Sequence, residues 1–301
     1  MTEKIIPEYI MHYFKENPKI SRNELSQKAG ISNQKARFYV QVYRSLNQKN
    51  NNCVKKGIVL FDIHYPDHNK ACINIIEKAI KVLKPDYLIF GGDQLHLDCI
   101  SHHNKGKVKL LENRRLYQDY RGFQKHILDR LEKSLPAKSK KYFMIGNHEY
   151  WIDRLLEESP QLEGLINIEN NLNLQDYTII PFNEMLSIGE INIIHGIFTN
   201  KYHSEHHLRV YQKMLFYGHL HTNQVYTQVT PKGAFPRQAV GVGCLCNKNA
   251  HYLRNKPNDW LHQFLIFYLF ADGSFVYETP IILNNRTIIN GKVINGSEEK
   301  I

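Results

Sequence analysis

The sequence predicts an α/β fold, a two-sheet core flanked by helices, with a small all-α domain in front of it. Three observations lead there. From Gly57 the pattern runs strand, helix, strand, the unit that forms parallel pairs with right-handed crossovers. After about Tyr177 short apolar runs follow one another closely, so the second half is richer in strands. Residues 1–47 instead repeat apolar side chains every three or four positions, the period of a helix.

The chain has 301 residues, enough for one large domain and a small one. Hydrophobic content of 42% and charged content of 23% are ordinary for a globular protein and exclude a disordered or fibrous chain. No apolar run approaches the roughly 20 residues that a membrane helix needs. Met1–Thr2–Glu3–Lys4 lacks the basic-then-apolar start of a signal peptide. Five scattered cysteines argue against a disulfide framework and for a reducing compartment. The expectation is a cytoplasmic protein with no membrane partner, and a homo-oligomer stays open. A net charge of +10 points towards a polyanionic partner, nucleic acid first.

Ile5, Ile6, Tyr9, Ile10 and Tyr13–Phe14 give a first helix, which Asn17–Pro18 ends. Ser21 caps a second, with Glu24 completing a capping box, and Ala29–Gly30 closes it. Ser32 caps a third, Asn33 to Leu46. This layout resembles a helix-turn-helix DNA-binding unit, with Leu25, Ser26, Ala29, Ile31, Ala36 and Tyr39 where its helices must touch. Asn33, Gln34, Lys35 and Arg37 would then face DNA; a protein-docking cap is the alternative. Asn47 to Asn52 is polar and without periodicity. The expected organisation is therefore a helical domain at 1–47, a linker at 48–54, the main domain at 55–284 and a tail at 285–301 that carries a further turn, Asn290–Gly291, and ends in a polar, frayed segment.

Within the main domain the expected order is strand Gly57–Phe61, helix Asn69–Lys84, strand Tyr87–Phe90 and a long basic helix from about Val108 to Leu135. Strand Lys141–Ile145 and helix Tyr150–Glu157 come next, then strands Thr178–Pro181, Met185–Ile188 and Ile191–Ile194. A helix over His203–Lys213 precedes strands Leu215–Tyr217, Val225–Thr230 and Gln238–Leu245. A hairpin over Gln263–Pro280 turns at Asp272–Gly273.

Five of these strands end in side chains that bind metals. They are Asp62–Ile63–His64, Gly91–Gly92–Asp93, Gly146–Asn147–His148–Glu149, Ile194–His195–Gly196 and Gly218–His219–Leu220–His221. In α/β folds ligands sit outside the carboxyl ends of the strands, where all five fall. Two carboxylates (Asp62, Asp93), four histidines (His64, His195, His219, His221) and an amide (Asn147) can hold two divalent cations. Mixed oxygen and imidazole donors suit manganese, iron or zinc over magnesium or calcium. Paired ions commonly serve phosphoryl transfer, and a histidine beside them can protonate the leaving oxygen. No cysteine stands at these strand ends, and Cys244 and Cys246 read as strand residues. Lys105, Lys107 and Lys109, followed by Arg114 and Arg115, could line a route for a phosphate backbone. Arg154 could brace Glu149 or a substrate phosphate, and His203, His206 and His207 could reach the site mouth.

In this order the motifs Asp-x-His, Gly-Asp, Gly-Asn-His-Glu, His and Gly-His-x-His resemble those of the calcineurin-like metallophosphoesterases. The resemblance implies a two-sheet sandwich and two divalent ions, manganese first, with iron, zinc or nickel as alternatives. Asp62, His64 and His221 would bind one ion, Asp93 would bridge both, and Asn147, His195 and His219 would bind the other. His148 would contact the substrate phosphate and assist the leaving group. Asp62–Ile63–His64–Tyr65–Pro66, the Gly146–Glu149 loop and Gly243–Cys244–Leu245–Cys246 resemble the type often encoded by phages and prophages, so the cytoplasm would be that of a host cell. The likeness covers about Lys55 to Ile282 and leaves out the N-terminal helices. It departs twice: the aspartate usual two residues after Gly-Asp appears only at Asp98, and Trp260–Leu261–His262–Gln263–Phe264 lacks a glycine usual before the phenylalanine. The leading expectation is a two-metal phosphodiesterase or nuclease acting on nucleic acid. One alternative is a phosphomonoesterase acting on phosphoprotein or small molecules, with the N-terminal helices as a docking module. Another is a non-catalytic DNA-binding regulator, against which the intact ligand set speaks.

Overall fold

Strand β1 (Lys55–Leu60) turns Ile58 and Leu60 to one face and Val59 to the other, and all three are buried. A strand buried on both faces belongs in the middle of a layered α/β domain. The computed structural model describes residues 6–51, 54–229, 237–249, 253 and 256–297, in two compact units, one through Val54 and one from Lys55.

In the first unit, α1 (Glu8–Glu16), α2 (Arg22–Ala29) and α3 (Asn33–Asn51) surround Ile10, Phe14, Ile20, Leu25, Ala36 and Val40. The capping residues act as expected. Ser21 Oγ accepts the Glu24 N–H at 3.2 Å, and Ser32 Oγ accepts that of Lys35 at 3.3 Å. Gly30, at φ 63°, ends α2 in the left-handed region. The expected linker is a correction: α3 runs on to Asn51, since glutamine and lysine between the asparagines keep enough helix propensity to extend it. Asn33, Gln34, Lys35 and Arg37 are exposed on α3.

In the second unit β1 pairs in parallel with β2 (Tyr87–Phe90), β2 with β3 (Lys140–Met144), and β3 with β4 (Tyr177–Ile180). On the other edge of β1 lie β10 (Leu265–Leu269) and β11 (Phe275–Glu278), both antiparallel to their neighbours. The second sheet runs β5 (Leu186–Ile188), β6 (Ile191–Ile194), β7 (Leu215–Tyr217), β9 (Arg237–Gly241), β8 (Gln224–Gln228). Val59, Phe61 and Ile89 meet Ile193, Phe216 and Val240 between the two sheets. Ile58, Leu60 and Phe90 pack on the opposite side against α4 (Lys70–Leu83) and the helix that begins as α5 (Leu116–Phe123). The outer face of the second sheet is covered by α9 (His203–Tyr211) through Leu208. Helices α7 (Tyr150–Glu158) and α8 (Ile168–Asn171) complete the first helical layer through Ile152, Leu156 and Ile168.

One other expectation is corrected. The long basic helix starts only at Leu116, because Asn113 (φ 62°) takes a left-handed turn that a helix cannot contain. It continues through a π-helical turn, Gln124–Leu128, into α6 (Asp129–Glu132). The turn expected at Asn290–Gly291 joins β12 (Arg286–Ile289) to β13 (Lys292–Asn295) in a hairpin whose Ile289 and Ile294 join the main core, while the expected frayed end, 298–301, lies outside the described residues. Asn74 on α4 donates to the Gly296 carbonyl at 2.7 Å, tying that hairpin down. Ile289 is 1% exposed and its neighbour Ile288 62% exposed. Ile289→Ala should therefore cost about 2–5 kcal/mol in urea unfolding, and Ile288→Ala less than about 0.5 kcal/mol. Equal effects would mean the hairpin does not pack as described.

Candidate metal centre

Strands β1, β2, β3, β6 and β7 all end at one edge of the sandwich, and each releases one candidate cluster there. The backbone at that edge is unusual. Asp62 (φ 52°), His64 (φ 51°), Asp93 (φ 52°), His219 (φ 72°) and His221 (φ 64°) are all left-handed, a conformation that costs a non-glycine residue roughly 1–3 kcal/mol. Cross-links between the loops hold them. The Asp62 N–H donates to Gly92 O at 3.2 Å, His64 N–H to Asp93 O at 3.0 Å and Leu245 N–H to Asp62 O at 3.1 Å.

Glu149 is the strongest cross-link. It is 1% exposed. Its Oε1 accepts the N–H groups of Gln94 (2.7 Å) and Leu95 (2.9 Å), and its Oε2 those of Asp93 (3.0 Å) and Gly146 (2.9 Å). Burial and the charge of Asp93 push its carboxyl up to about 7, while these four donors favour the carboxylate. With two donors on each oxygen there is no good place for a proton, so the charged form is the one that fits. Gly146 is required beside it: a Cβ there would lie 2.3 Å from Asp93 N and Oδ1. Gly218 has the same role on the other side, where a Cβ would lie 2.4 Å from Asp62 Oδ2. Arg154, expected near Glu149, lines a separate surface cleft with Lys105 and Trp151.

The expected metal-site residues come together as two groups around two carboxylates. Asp62, His64 and His221 form one. His64 Nε2 and His221 Nε2 are 3.1 Å apart and stand 3.7 and 3.3 Å from Asp62 Oδ1. Asp62 Oδ1 is buried and accepts no hydrogen bond, while Oδ2 accepts the His219 N–H at 2.8 Å. Asp93, His195 and His219 form the other. His195 Nδ1–H donates to Gly91 O (3.1 Å), which turns Nε2 towards Asp93 Oδ2 (3.2 Å) and Asn147 Oδ1 (3.1 Å). Asp93 Oδ2 also lies 3.8 Å from His64 Nε2, so this oxygen stands between the two groups.

Lone pairs aimed at one another repel unless positive charge lies among them. Burial opposes charge on His195, yet Asp93 pushes its imidazole up to about 9. His221 is likewise pushed up to about 9, against burial, with Cys244 and Asp62 the leading causes. Burial, then the charge of His148, takes His64 down to about 3. Asp62 and Asp93 stay ionised despite burial because His221 and His195 face them. An anionic, imidazole-rich set with converging lone pairs fits a pair of divalent ions, and these residues could hold them.

His148 stands beside both groups. Its backbone N–H donates to Asp93 Oδ1 at 2.9 Å, and its Nδ1–H to His96 O at 2.7 Å. That fixes the tautomer and leaves Nε2 facing the site, 3.8 Å from Asp93 Oδ2. Trp151 packs its ring 4.0 Å from that of His148.

The family profile of the calcineurin-like phosphoesterases matches residues 58–223, more than half of the chain. The chain belongs to this family. It is accordingly a metal-dependent phosphoesterase, a hydrolase of phosphate esters. Among curated proteins none matches. Similar solved structures include a zinc complex of Vps29 from Entamoeba histolytica, with 10% identity and TM-score 0.42 over 80% of this chain and 99% of that one. Vps29 of Cryptosporidium parvum follows at 14% and 0.39, over 80% and 95%, and that of Chaetomium thermophilum at 10% and 0.34, over 75% and 96%.

Sequence reasoning missed a group around the phosphoesterase site. His96 Nδ1 lies 3.2 Å from His64 Nδ1, and its Nε2 lies 3.1 Å from Asp98 Oδ1. Asn104 donates to the same Asp98 oxygen at 2.8 Å, and Arg114 is paired with Asp67 at 3.3 Å. Tyr65 bridges to Leu95 across the parallel loops, and that register brings His96 to His64. The displaced Asp98 was the available signal. Cys246 Sγ lies 3.6 Å from His221 Nδ1, and the Trp260 ring 4.1 Å from the His221 ring. His203 and His207 do not reach the mouth. His203 Nδ1 meets Tyr217 Oη at 2.7 Å, and His207 Nε2 accepts the Ile197 N–H at 3.1 Å. Lys105, Lys107 and Lys109 are exposed on the irregular segment before α5.

Glu149→Gln should expose the importance of the cross-link. An amide would turn N–H against two backbone N–H donors, and urea unfolding should show a loss of roughly 2–4 kcal/mol. Exposed Glu157→Gln serves as the control. An unchanged midpoint for Glu149→Gln would contradict the hydrogen-bond assignment.

Proposed function

We infer that this phosphoesterase hydrolyses phosphodiesters of nucleic acid, with Asp62, His64 and His221 at one ion, Asn147, His195 and His219 at the other, and Asp93 shared. Two ions bound there, manganese first, supply Lewis acidity on phosphoryl oxygens and an acidified water. The position of Asp93 Oδ2 between His195 Nε2 and His64 Nε2 is the observation that carries the shared-ligand reading. His148 keeps its Nδ1–H on His96 O, so a second proton taken up at Nε2 would point into the site and could pass from the imidazolium to the leaving oxygen, with Trp151 limiting the ring's movement.

The diester preference rests on charge. A terminal dianionic phosphate is best met by lysine or arginine beside the metals. Among the described residues, no lysine or arginine makes a polar contact with Asp62, His64, Asp93, Asn147, His148, His195, His219 or His221. Arg114 is nearby but is held by Asp67. A monoanionic diester needs less charge, and the net charge of +10 is then available along a polyanion. The exposed residues Asn33, Gln34, Lys35 and Arg37 on α3 would serve a separate DNA-contacting role, and a phage setting remains part of this reading.

With manganese supplied, an aryl phosphodiester should be cleaved at least as fast as the matching monoester, and single-stranded DNA should be shortened or nicked. His148→Ala should lower kcat by about 10²–10⁴-fold with bound metal unchanged. Strong preference for the monoester with no nucleic acid cleaved would replace this reading with the phosphomonoesterase. Loss of metal in the His148 variant would make His148 a ligand.

A further inference from the structure

A groove of 740 Å³ opens from Tyr65 and Pro66, directly after His64, and runs between α4 and the α5–α6 helix. Lys70, Asn74, Glu77 and Lys81 line one wall, and Lys125, His126, Arg130 and Lys133 the other. Glu77 pairs with Lys81 at 2.5 Å and with Arg130 at 2.6 Å. Lys70, Lys125 and Lys133 are exposed and have no carboxylate partner among the described residues. From Lys70 to Lys81 the wall is about 16 Å long, so the cations are strung out instead of converging on one phosphate.

Two further features mark this groove. The π-helical turn Gln124–Leu128 interrupts the helix where Lys125 and His126 face the groove, and such turns concentrate at functional positions. The exposed His126 ring also lies nearly parallel to Tyr65, 16° apart with centroids at 6.3 Å. Tyr65 is fixed to the metal edge, its N–H donating to Gln94 O and its carbonyl accepting from His96 N–H, both at 2.8 Å. Flat rings beside a line of cations are what unpaired bases and their phosphates require together.

We propose that this groove binds the backbone of single-stranded nucleic acid flanking the scissile phosphate, Lys70, Lys125 and Lys133 contacting phosphates and His126 stacking on a base. The proposal rests on the nucleic-acid reading above and adds a track that the sequence did not indicate, distinct from Lys105, Lys107 and Lys109.

The test uses the full chain with manganese and a dye-labelled phosphorothioate oligothymidylate that resists cleavage. The triple variant Lys70→Glu, Lys125→Glu, Lys133→Glu should bind it at least about ten-fold more weakly at low salt. Its log affinity should depend on log salt with a slope smaller by about 2, at about 0.7 for each phosphate that is no longer neutralised. Hydrolysis of a small aryl diester should stay within about two-fold of the parent, and His126→Ala should weaken single-strand binding more than duplex binding. Unchanged oligonucleotide affinity overturns the proposal, as does an equal loss of aryl-diester hydrolysis. Binding of an acidic phosphopeptide as tightly through the same lysines would assign the groove to protein and overturn it too. If the lysines govern oligonucleotide binding but no nucleic acid is cleaved, the groove stands and the nuclease reading fails.

Discussion

The site depends on one buried carboxylate whose oxygens face backbone N–H groups, not the converging imidazoles. Glu149 reaches from the β3 loop into the β2 loop and takes four backbone N–H groups, those of Asp93, Gln94, Leu95 and Gly146. Without it, the amides at the end of β2 would be buried with no acceptor, at about 1–3 kcal/mol each. With it, Asp93 is fixed in a left-handed conformation and its two oxygens are divided. Oδ1 faces the His148 amide, and Oδ2 faces His195 and His64. One interaction thereby sets the distance between the two ligand groups and the placement of His148.

This arrangement explains why glycines and strained residues crowd the same edge. Short loops must turn sharply after buried strands and still aim side chains at a common point. Left-handed turns at Asp62, His64, Asp93, His219 and His221 do that, and the strain is sustained by loop-to-loop hydrogen bonds and by the packed sandwich below. Positions such as Gly146 and Gly218 let neighbouring carboxylates approach closer than any Cβ would permit. The chemistry therefore rests on rigid strand ends, where bound cations would relieve the remaining repulsion among inward-facing lone pairs.

Much of this was legible in the sequence because each motif is local. Asp62 and His64 lie two residues apart, as do His219 and His221, and each pair follows an apolar run that could only be a buried strand. What was hidden arises from contacts between segments. His96 reaches His64 through the pairing of Tyr65 with Leu95, and Cys246 reaches His221 where Leu245 N–H meets Asp62 O. The C-terminal hairpin was half legible for a related reason: its turn, Asn290–Gly291, is local, while the burial of Ile289 and Ile294 against a helix two hundred residues earlier in the chain is not. Helix limits were hardest where propensity is nearly neutral, as at Asn47–Asn51, or where a single asparagine turns left-handed, as at Asn113.

We propose that Asp93 is shared by two ions. Electron paramagnetic resonance of the manganese-loaded protein tests it most directly. The expected result is two ions per chain with the spectrum of an exchange-coupled pair, and loss of that coupling in Asp93→Asn. A spectrum of isolated manganese in the parent protein at full loading, or coupling that survives in Asp93→Asn, would contradict it.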